Sequence, residues 1–512
     1  MDAHVVADQS EIFALLAHSS THGIIEPVRS IDTHGAAVFL AGRNAYKVKR
    51  AVRFPFMDFS TLEKRKAACE RELAVNRVNA PDLYLGLVPI TRSSAGLELD
   101  GKGEIVEWAV HMRRFDENAT LDEVVERGGL TPALISDLAR AVASSHERAA
   151  RTDFDGVAAL EGIIRENAAS LAEIPDLFSR KQVEELTSSS QTLLRRNLDL
   201  LQERRRRGYV RRCHGDLHLG NIVLIADKPV LFDALEFDEA LATSDMLYDL
   251  AFLIMDLWER GLHEAANALL NRYLWASDEA QLEGLAAFPL FLSVRAAIRA
   301  KVIAASLPHL GEGKRANAAR DARRYFALAE DCLVEAPARL VAIGGLSGTG
   351  KTTIAAGLSP FLGRVPGAVH VRSDIERKRM LAAAETEHLP PSGYAAETSV
   401  KVYGLLARKA QQALVTGYCV IADAVHARPE ERAGIERAAQ AASAPFAGLW
   451  LDAALSLRVG RVETRRDDAS DATPDYVRRQ AATDIGVVTW RRIDATGRPD
   501  VVLTRAKAAL GL

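Results

Sequence analysis

Cys213-His214-Gly215-Asp216-Leu217-His218-Leu219-Gly220-Asn221-Ile222-Val223-Leu224 is the stretch from which this chain of 512 residues is best read. A short loop carrying His, Asp and Asn runs straight into an apolar segment. A second apolar segment, Val230-Leu231-Phe232-Asp233, follows and ends on an acid. Two short strands with their polar groups gathered at one end are expected. An Asp, an Asn five residues later and a second Asp at a strand end are what phosphoryl transfer requires. One carboxylate accepts the proton of an attacking hydroxyl, while the amide and the other carboxylate hold magnesium against phosphates. The bland alternative, a polar turn between buried strands, leaves those offsets unexplained.

The spacing His-x-Asp-Leu-x-x-x-Asn over 214–221 is that of the protein-kinase catalytic loop. With Gly215 and the second histidine, His218, it resembles more closely the aminoglycoside phosphotransferase and choline-kinase branch of that superfold. The resemblance implies that Asp216 is the catalytic base and that Asn221 and Asp233 are magnesium ligands. Asp233 is followed by Ala234-Leu235-Glu236 and not by Phe-Gly, a departure that this branch shares. It also implies that Asp249, in Asp245-Met246-Leu247-Tyr248-Asp249-Leu250-Ala251, braces the catalytic loop. Glu236 and Asp238 become candidates for contact with magnesium or acceptor.

Upstream, residues 10–20 read as a short helix. Residues 38–41 and 45–49 read as a hairpin around Gly42-Arg43-Asn44. Lys47 and Lys49 alternate onto one face of its second strand. By resemblance to the kinase Val-Ala-Ile-Lys strand, Lys49 is the phosphate-binding lysine and Lys47 the fallback; a solvated edge strand is the plainer reading. No glycine-rich loop precedes them. The charged helix over 62–79 should carry the acid that pairs with that lysine, Glu72 ahead of Glu70. A strand over 86–92 follows. Residues 104–115 read as a strand running into a hinge, where backbone at Met112 would meet the adenine; His111 reads as structural.

Thr131-Pro132 is a helix start, and Ile135, Leu138, Val142 and Ala143 recur at helical spacing up to His146. Residues 153–207 read as two helices. The second closes on Arg204-Arg205-Arg206-Arg207, a basic end that suits the helix dipole and reads as solvated. Arg211 and Arg212 lead into the catalytic strand, which makes a phosphorylated or acidic acceptor a secondary expectation. Residues 262–332 are helical by pattern, with Arg295, Arg299 and Lys301 either closing an acceptor cleft or lying on the surface.

After Ala336-Pro337-Ala338, the apolar segment 339–344 leads into Gly345-Leu346-Ser347-Gly348-Thr349-Gly350-Lys351-Thr352-Thr353. This Gly-x-x-x-x-Gly-Lys-Thr loop stands in a strand–loop–helix context. Its glycines let backbone N–H groups of Ser347, Gly348, Thr349, Gly350 and Thr353 wrap phosphates; Lys351 reaches the outer ones and Thr352 the magnesium. A strand over 369–374 ends on Asp374, with Arg372 and Arg377 beside it. The half resembles small-substrate P-loop kinases such as gluconate, shikimate and polynucleotide kinases and zeta toxins. The resemblance implies that Asp374 contacts or deprotonates the acceptor hydroxyl, Arg372 and Arg377 helping; a helix cap is the alternative for Asp374. Asp423, closing the apolar strand 418–423, would be the Walker-B residue at the magnesium shell. A helix over 457–466 carries Arg458, Arg461, Arg465 and Arg466 before the acidic Asp467-Asp468 pair. Arg461 and Arg465 lie one turn apart and would act together as a lid on the transferring phosphate. A last strand is expected at Val501-Val502-Leu503.

The chain is too long for one core. The reading is an α+β, protein-kinase-like two-lobed domain over 1–335 (lobes about 1–112 and 113–335), then an α/β P-loop domain with a parallel sheet over 336–512. Hydrophobic content of 48% and charged content of 26% are those of a soluble globular protein. The net charge of −3 favours neither nucleic acid nor a membrane as partner. Cys69, Cys213, Cys332 and Cys419 show no paired spacing, as expected of a cytoplasmic protein without disulfides or zinc. The N-terminus, Met1-Asp2-Ala3-His4, lacks the basic start of a signal peptide. The function expected is ATP- and magnesium-dependent transfer of phosphate by both halves to hydroxyls of small molecules. The alternatives are one active kinase regulated by a P-loop ATPase module, or aminoglycoside inactivation by the first half alone. Acceptor identities and oligomeric state are not read from the sequence.

Overall fold

The hairpin forms as Ala36–Ala41 and Asn44–Lys49, turned at Gly42, whose φ of +58° favours glycine. It lies inside a six-stranded antiparallel sheet of order Arg29–Asp32, Ala36–Ala41, Asn44–Lys49, Glu104–Arg113, Tyr84–Ser93 and Gly96–Leu99. Lys47 and Lys49 are therefore on a central strand, and the edge-strand reading fails. The computed structural model describes residues 4–54, 57–465 and 468–512. It divides into two compact units, Met1–Gly162 with Leu201–Asp256, and Ile163–Leu200 with Leu257–Leu512.

In the first unit, helix Leu62–Asn76 starts at Thr61, whose hydroxyl accepts the N–H of Lys64 at 3.3 Å. Its buried Cys69, Glu72 and Asn76 follow helical spacing. Cys69 packs with Ala45, Val110 and Met112 of the sheet. Helix Pro132–Arg148 starts as read, Thr131 accepting from Leu134 at 3.2 Å. The strands Ile222–Ile225 and Lys228–Leu231 pair antiparallel behind the His-Gly-Asp loop. The run 153–207 holds three helices, not two: Gly156–Ala172, Arg180–Arg196 and Leu198–Arg206. Asn197 breaks the last two, its side chain bonded back to the Leu193 carbonyl at 2.9 Å. The basic end is not wholly solvated. Arg204 is 1% exposed, forked onto Asp245 at 2.6 and 2.8 Å and stacked on Tyr209.

The second unit contains helices His263–Ala276, Phe288–Ser306 and Glu312–Leu333, and a five-stranded parallel sheet. Strand order is Val369–Arg372, Val420–Asp423, Leu340–Gly344, Phe446–Asp452, Arg491–Asp494. Leu340–Gly344 is wholly buried between its neighbours, and loops at the carboxyl ends of such strands gather where strand order reverses. Val501-Val502-Leu503 is not a strand. It lies in helix Pro499–Leu510, started by Pro499 in the first turn, with Val502 and Ala506 buried four apart. The last strand is Arg491–Asp494. The four cysteines are buried and free. Among the described residues no helix is long and apolar enough to cross a membrane.

Candidate active sites

In the first unit the two hairpin lysines meet one acid. Glu72 accepts from Lys47 at 2.7 Å and from Lys49 at 2.6 Å. Glu70 is on the surface near Lys66, so helix phase selects Glu72, as expected. The lysines then diverge. Lys47 reaches Asp233 at 2.6 Å and is partly open, whereas Lys49 is 2% exposed and pairs with Glu236. Burial alone would raise the Glu72 carboxyl; the two lysines overcome it and bring it down to about 2.

The His-Gly-Asp loop is held from behind. Asp249 accepts the backbone N–H of His214 at 3.3 Å and of Gly215 at 2.8 Å, and bonds His146 Nε2 at 3.1 Å. Gly215 has φ +84°, and a Cβ there would press on Leu235 and Ala242. His214 bonds the Phe232 carbonyl at 2.9 Å, fastening the loop to the strand that precedes Asp233. With these struts, the half-open carboxylate of Asp216 receives Asn221 Nδ2 at 3.0 Å. Asp216, Asn221, Asp233 and Lys47 are thus drawn into one site.

Three supports had no signal in the sequence. The Tyr84 hydroxyl oxygen accepts the Asp233 N–H at 3.1 Å, Asn76 accepts from Ala234 at 2.8 Å, and Asp256 from Leu219 at 3.0 Å. Asp233 has φ +57°, which these bonds sustain. Other residues are spoken for. Asp238 caps helix Glu239–Ala242. Arg211 donates to the carbonyls of His146 and Glu147, and Arg212 to that of Cys213, so neither offers the acidic-acceptor contact suggested above. His111 is structural, bonded to Asn44 at 2.9 Å and stacked on Tyr46. Met112 is buried opposite Ala45 and Tyr84. Arg299 stacks on Tyr325 and Lys301 pairs with Glu166.

In the second unit, residues 345–350 leave strand Leu340–Gly344 and helix Lys351–Leu358 begins at Lys351. Gly345, Gly348 and Gly350 have φ of +140°, +85° and +88°. A Cβ at Gly348 would sit 2.5 Å from the Arg458 carbonyl, so glycine is obligatory there. Lys351 curls back to within 3.4 Å of the Leu346 carbonyl, and the Thr352 hydroxyl donates to Asp423 at 2.7 Å. Burial raises the Asp423 carboxyl, but the His370 hydrogen bond and the charges of Arg372 and Lys351 outweigh it and bring it down to about 2. Burial lowers the Lys351 ammonium. Gln480, unsignalled in sequence, accepts the Ser347 N–H at 2.7 Å.

A cavity of about 990 Å³ spans this loop, Asp374, Arg377, Tyr394 and Asp423. Asp374 is not a cap but lies in the first turn of helix Ser373–Met380; burial raises its carboxyl although Arg372 opposes. Arg372 also binds Asp468 at 2.6 Å. Arg461 and Arg465 both line the cavity but do not point together. Helix Leu455–Thr464 ends before Arg465, which donates to the Ser470 and Ala472 carbonyls, while Arg461 donates to Thr349, Ala495 and Gly497. Arg466 and Asp467 lie outside the described residues.

The donor sets suit magnesium, which takes hard oxygen ligands: Asp233 with the Asn221 side-chain carbonyl, and Thr352 with Asp423. The glycine loop suits phosphate, its left-handed turns leaving no Cβ in the way.

Comparison with known proteins matches two separate stretches of the chain. A family model described as a phosphotransferase enzyme family matches residues 41–285, and one described as an AAA domain matches residues 340–483. The uncharacterized proteins Rv2004c of Mycobacterium tuberculosis and Mb2027c of Mycobacterium bovis are each 31% identical over 475 residues, 91% of this chain and 92% of theirs. This chain belongs to their family. The family joins a phosphotransferase domain to a P-loop kinase domain of the AAA type, and the protein is a kinase-type phosphotransferase. Kinases of these kinds use ATP and usually Mg2+. Among solved structures, a GDP complex of aminoglycoside 2'-phosphotransferase-IIIa is 13% identical, spanning 62% of this chain and 99% of that one, with a TM-score of 0.40. The APS kinase of Mycobacterium tuberculosis with AMPPNP and APS is 17% identical, spanning 35% and 100%, with a TM-score of 0.27.

Proposed function

We propose that this family member is a bifunctional phosphotransferase, each half moving the γ-phosphate of ATP to a hydroxyl of a small molecule. The observation that carries the reading is that each unit assembles its own lysine, carboxylate and pair of oxygen donors, with no residue shared.

In the first site Lys47, held by Glu72 and reaching Asp233, is the phosphate-binding lysine, and Lys49 is its buried support; this reverses the order suggested by sequence alignment alone. Asp216 takes the proton of the acceptor hydroxyl, oriented by Asn221. Asn221 and Asp233 would hold Mg2+. In the second site the backbone of 345–350 and Lys351 would bind the phosphates, and Thr352 and Asp423 would hold Mg2+. Asp374, whose raised pKa makes it a better base than an ordinary carboxylate, takes the acceptor proton across the cavity from Lys351. Arg461 and Arg465 stand at the cavity wall as counter-charges. The ion, when bound, neutralises charge on the transferring phosphoryl group.

The test is transfer from γ-labelled ATP into a pooled metabolite extract. Labelled products that depend on Asp216 and on Lys351 separately support two kinase sites and identify the acceptors by their chemistry. Release of free phosphate alone, abolished by Lys351→Ala, shows instead an ATPase module and overturns the reading for the second half.

A further inference from the structure

Strand Val369–Arg372 is the edge of the parallel sheet. One side pairs with Val420–Asp423; the other has no strand and presents backbone groups that need partners. Side chains of helix His263–Ala276 supply them. Asn271 accepts the His370 N–H at 2.7 Å through Oδ1 and donates to the Ala368 carbonyl at 3.1 Å. Asn267 donates to the same carbonyl at 3.1 Å. Trp275 donates its indole N–H to the His370 carbonyl at 2.8 Å and meets the His370 ring edge to face, centroids 5.4 Å apart.

The fit is reciprocal. Gly367 has φ +111°, and a Cβ there would stand 2.4 Å from the Ser359 carbonyl and 2.8 Å from Asn267 Nδ2, so its absence leaves room for the turn and for the incoming amide together. From the sheet side, Arg379 donates to the carbonyls of Leu274, Trp275 and Ser277, closing the carboxyl end of the helix. Glu279 beyond it accepts from Arg408 at 3.1 Å. Asn267 and Asn271 are themselves almost wholly buried. Two buried amides, an indole and an arginine spent on one strand and one helix end are a specific joint, not incidental packing.

His370 links that joint to chemistry. Both its backbone groups are gripped by the helix, and its imidazole Nε2 stands 3.3 Å from Asp423 Oδ2, the oxygen that also receives the Thr352 hydroxyl. Helix His263–Ala276 lies within the stretch matched by the phosphotransferase family, 41–285, whereas the site it touches lies in the AAA match, 340–483. We propose that this helix is a positioning element of the P-loop site: Asn271 and Trp275 seat His370, and His370 orients the Asp423 carboxylate toward Thr352 and the metal. The second activity is then structurally dependent on a segment that by sequence belongs to the first. The inference rests on the P-loop half binding nucleotide with Mg2+, as proposed above.

The test uses the full chain and two readouts. The first is amide hydrogen exchange over residues 368–374 without nucleotide. Asn271→Ala and Trp275→Phe should speed exchange of the His370 amide about tenfold or more while the melting temperature stays close to wild type. The second is titration with a fluorescent ATP analogue with and without Mg2+, taking the component lost in Lys351→Ala as the P-loop site. Both variants and His370→Ala should keep metal-free affinity but lose about tenfold of the gain that Mg2+ brings, the usual cost of removing a group behind a metal ligand. His370→Gln, which retains an N–H donor, should recover part of it. Unchanged exchange and an unchanged Mg2+ gain in the Asn271 and Trp275 variants overturn the positioning role. Absence of any Lys351-dependent component in the wild-type chain overturns instead the nucleotide reading on which it rests.

Discussion

Two lysines two residues apart on one strand are interchangeable in sequence and unlike in the fold. Lys49 is enclosed by Glu72 and Glu236, and Lys47 extends to Asp233. Lys47→Ala should therefore abolish transfer by the first site while leaving the melting temperature within a few degrees. Lys49→Ala, which leaves buried Glu236 without the lysine it pairs with and Glu72 with one of its two, should destabilise by about 3–5 kcal/mol in urea unfolding. The opposite pattern would return the phosphate-binding role to Lys49. The Glu72 carboxyl, ordinarily near 4.5, is held at about 2 by the lysines. A carboxyl lowered on folding contributes stability that is complete above 4.5 and is lost as pH falls through about 2. Unfolding followed from pH 5 to 2 should show that loss in the wild type and a flatter profile in Glu72→Gln.

At the scale of elements, the arginine run that closes helix Leu198–Arg206 shows how far composition misleads. Four cations at a helix end suggest a solvated terminus, and Arg206 is indeed 73% exposed beside Glu203. Arg204 faces the other way and is forked onto buried Asp245. Arg204→Leu should cost about 3–5 kcal/mol because it leaves a buried carboxylate without its charge partner. Arg206→Ala should stay within about 0.5 kcal/mol. Equal effects of the two in urea titrations would remove the distinction. The same limit explains Val501-Val502-Leu503: two β-branched residues in a row are overridden by Pro499 in the first turn and by a core that takes Val502 and Ala506 from one helix face.

At the scale of the molecule, the two sites draw on different units, the second of which reaches back to include Ile163–Leu200 and Leu257 onward. Asp216→Asn should lower the first transfer by about 10²–10⁴-fold, the range for losing a general base, and leave the second within about twofold. Lys351→Ala should do the converse. Product-resolved transfer from labelled ATP checks both, and loss of both activities from either substitution would sink independent catalysis.

What the sequence by itself determined was the two motifs and the kinase-type folds that carry them. The His-Gly-Asp loop with Asn221 and Asp233, and the glycine loop with Lys351 and Thr352, are short and local, each a few groups at fixed offsets along one strand–loop element, so spacing alone displays them. Glu72 was legible too, through helix phase. The tertiary structure alone decided which lysine meets Asp233, that Tyr84 and Asn76 steady that acid's backbone, and that Arg211 and Arg212 are spent on carbonyls. It alone set His370 between Asp423 and a helix about 100 residues upstream. These partners lie far apart in the chain, and their meeting depends on which groups burial leaves in need of a hydrogen bond, a condition that no local spacing records.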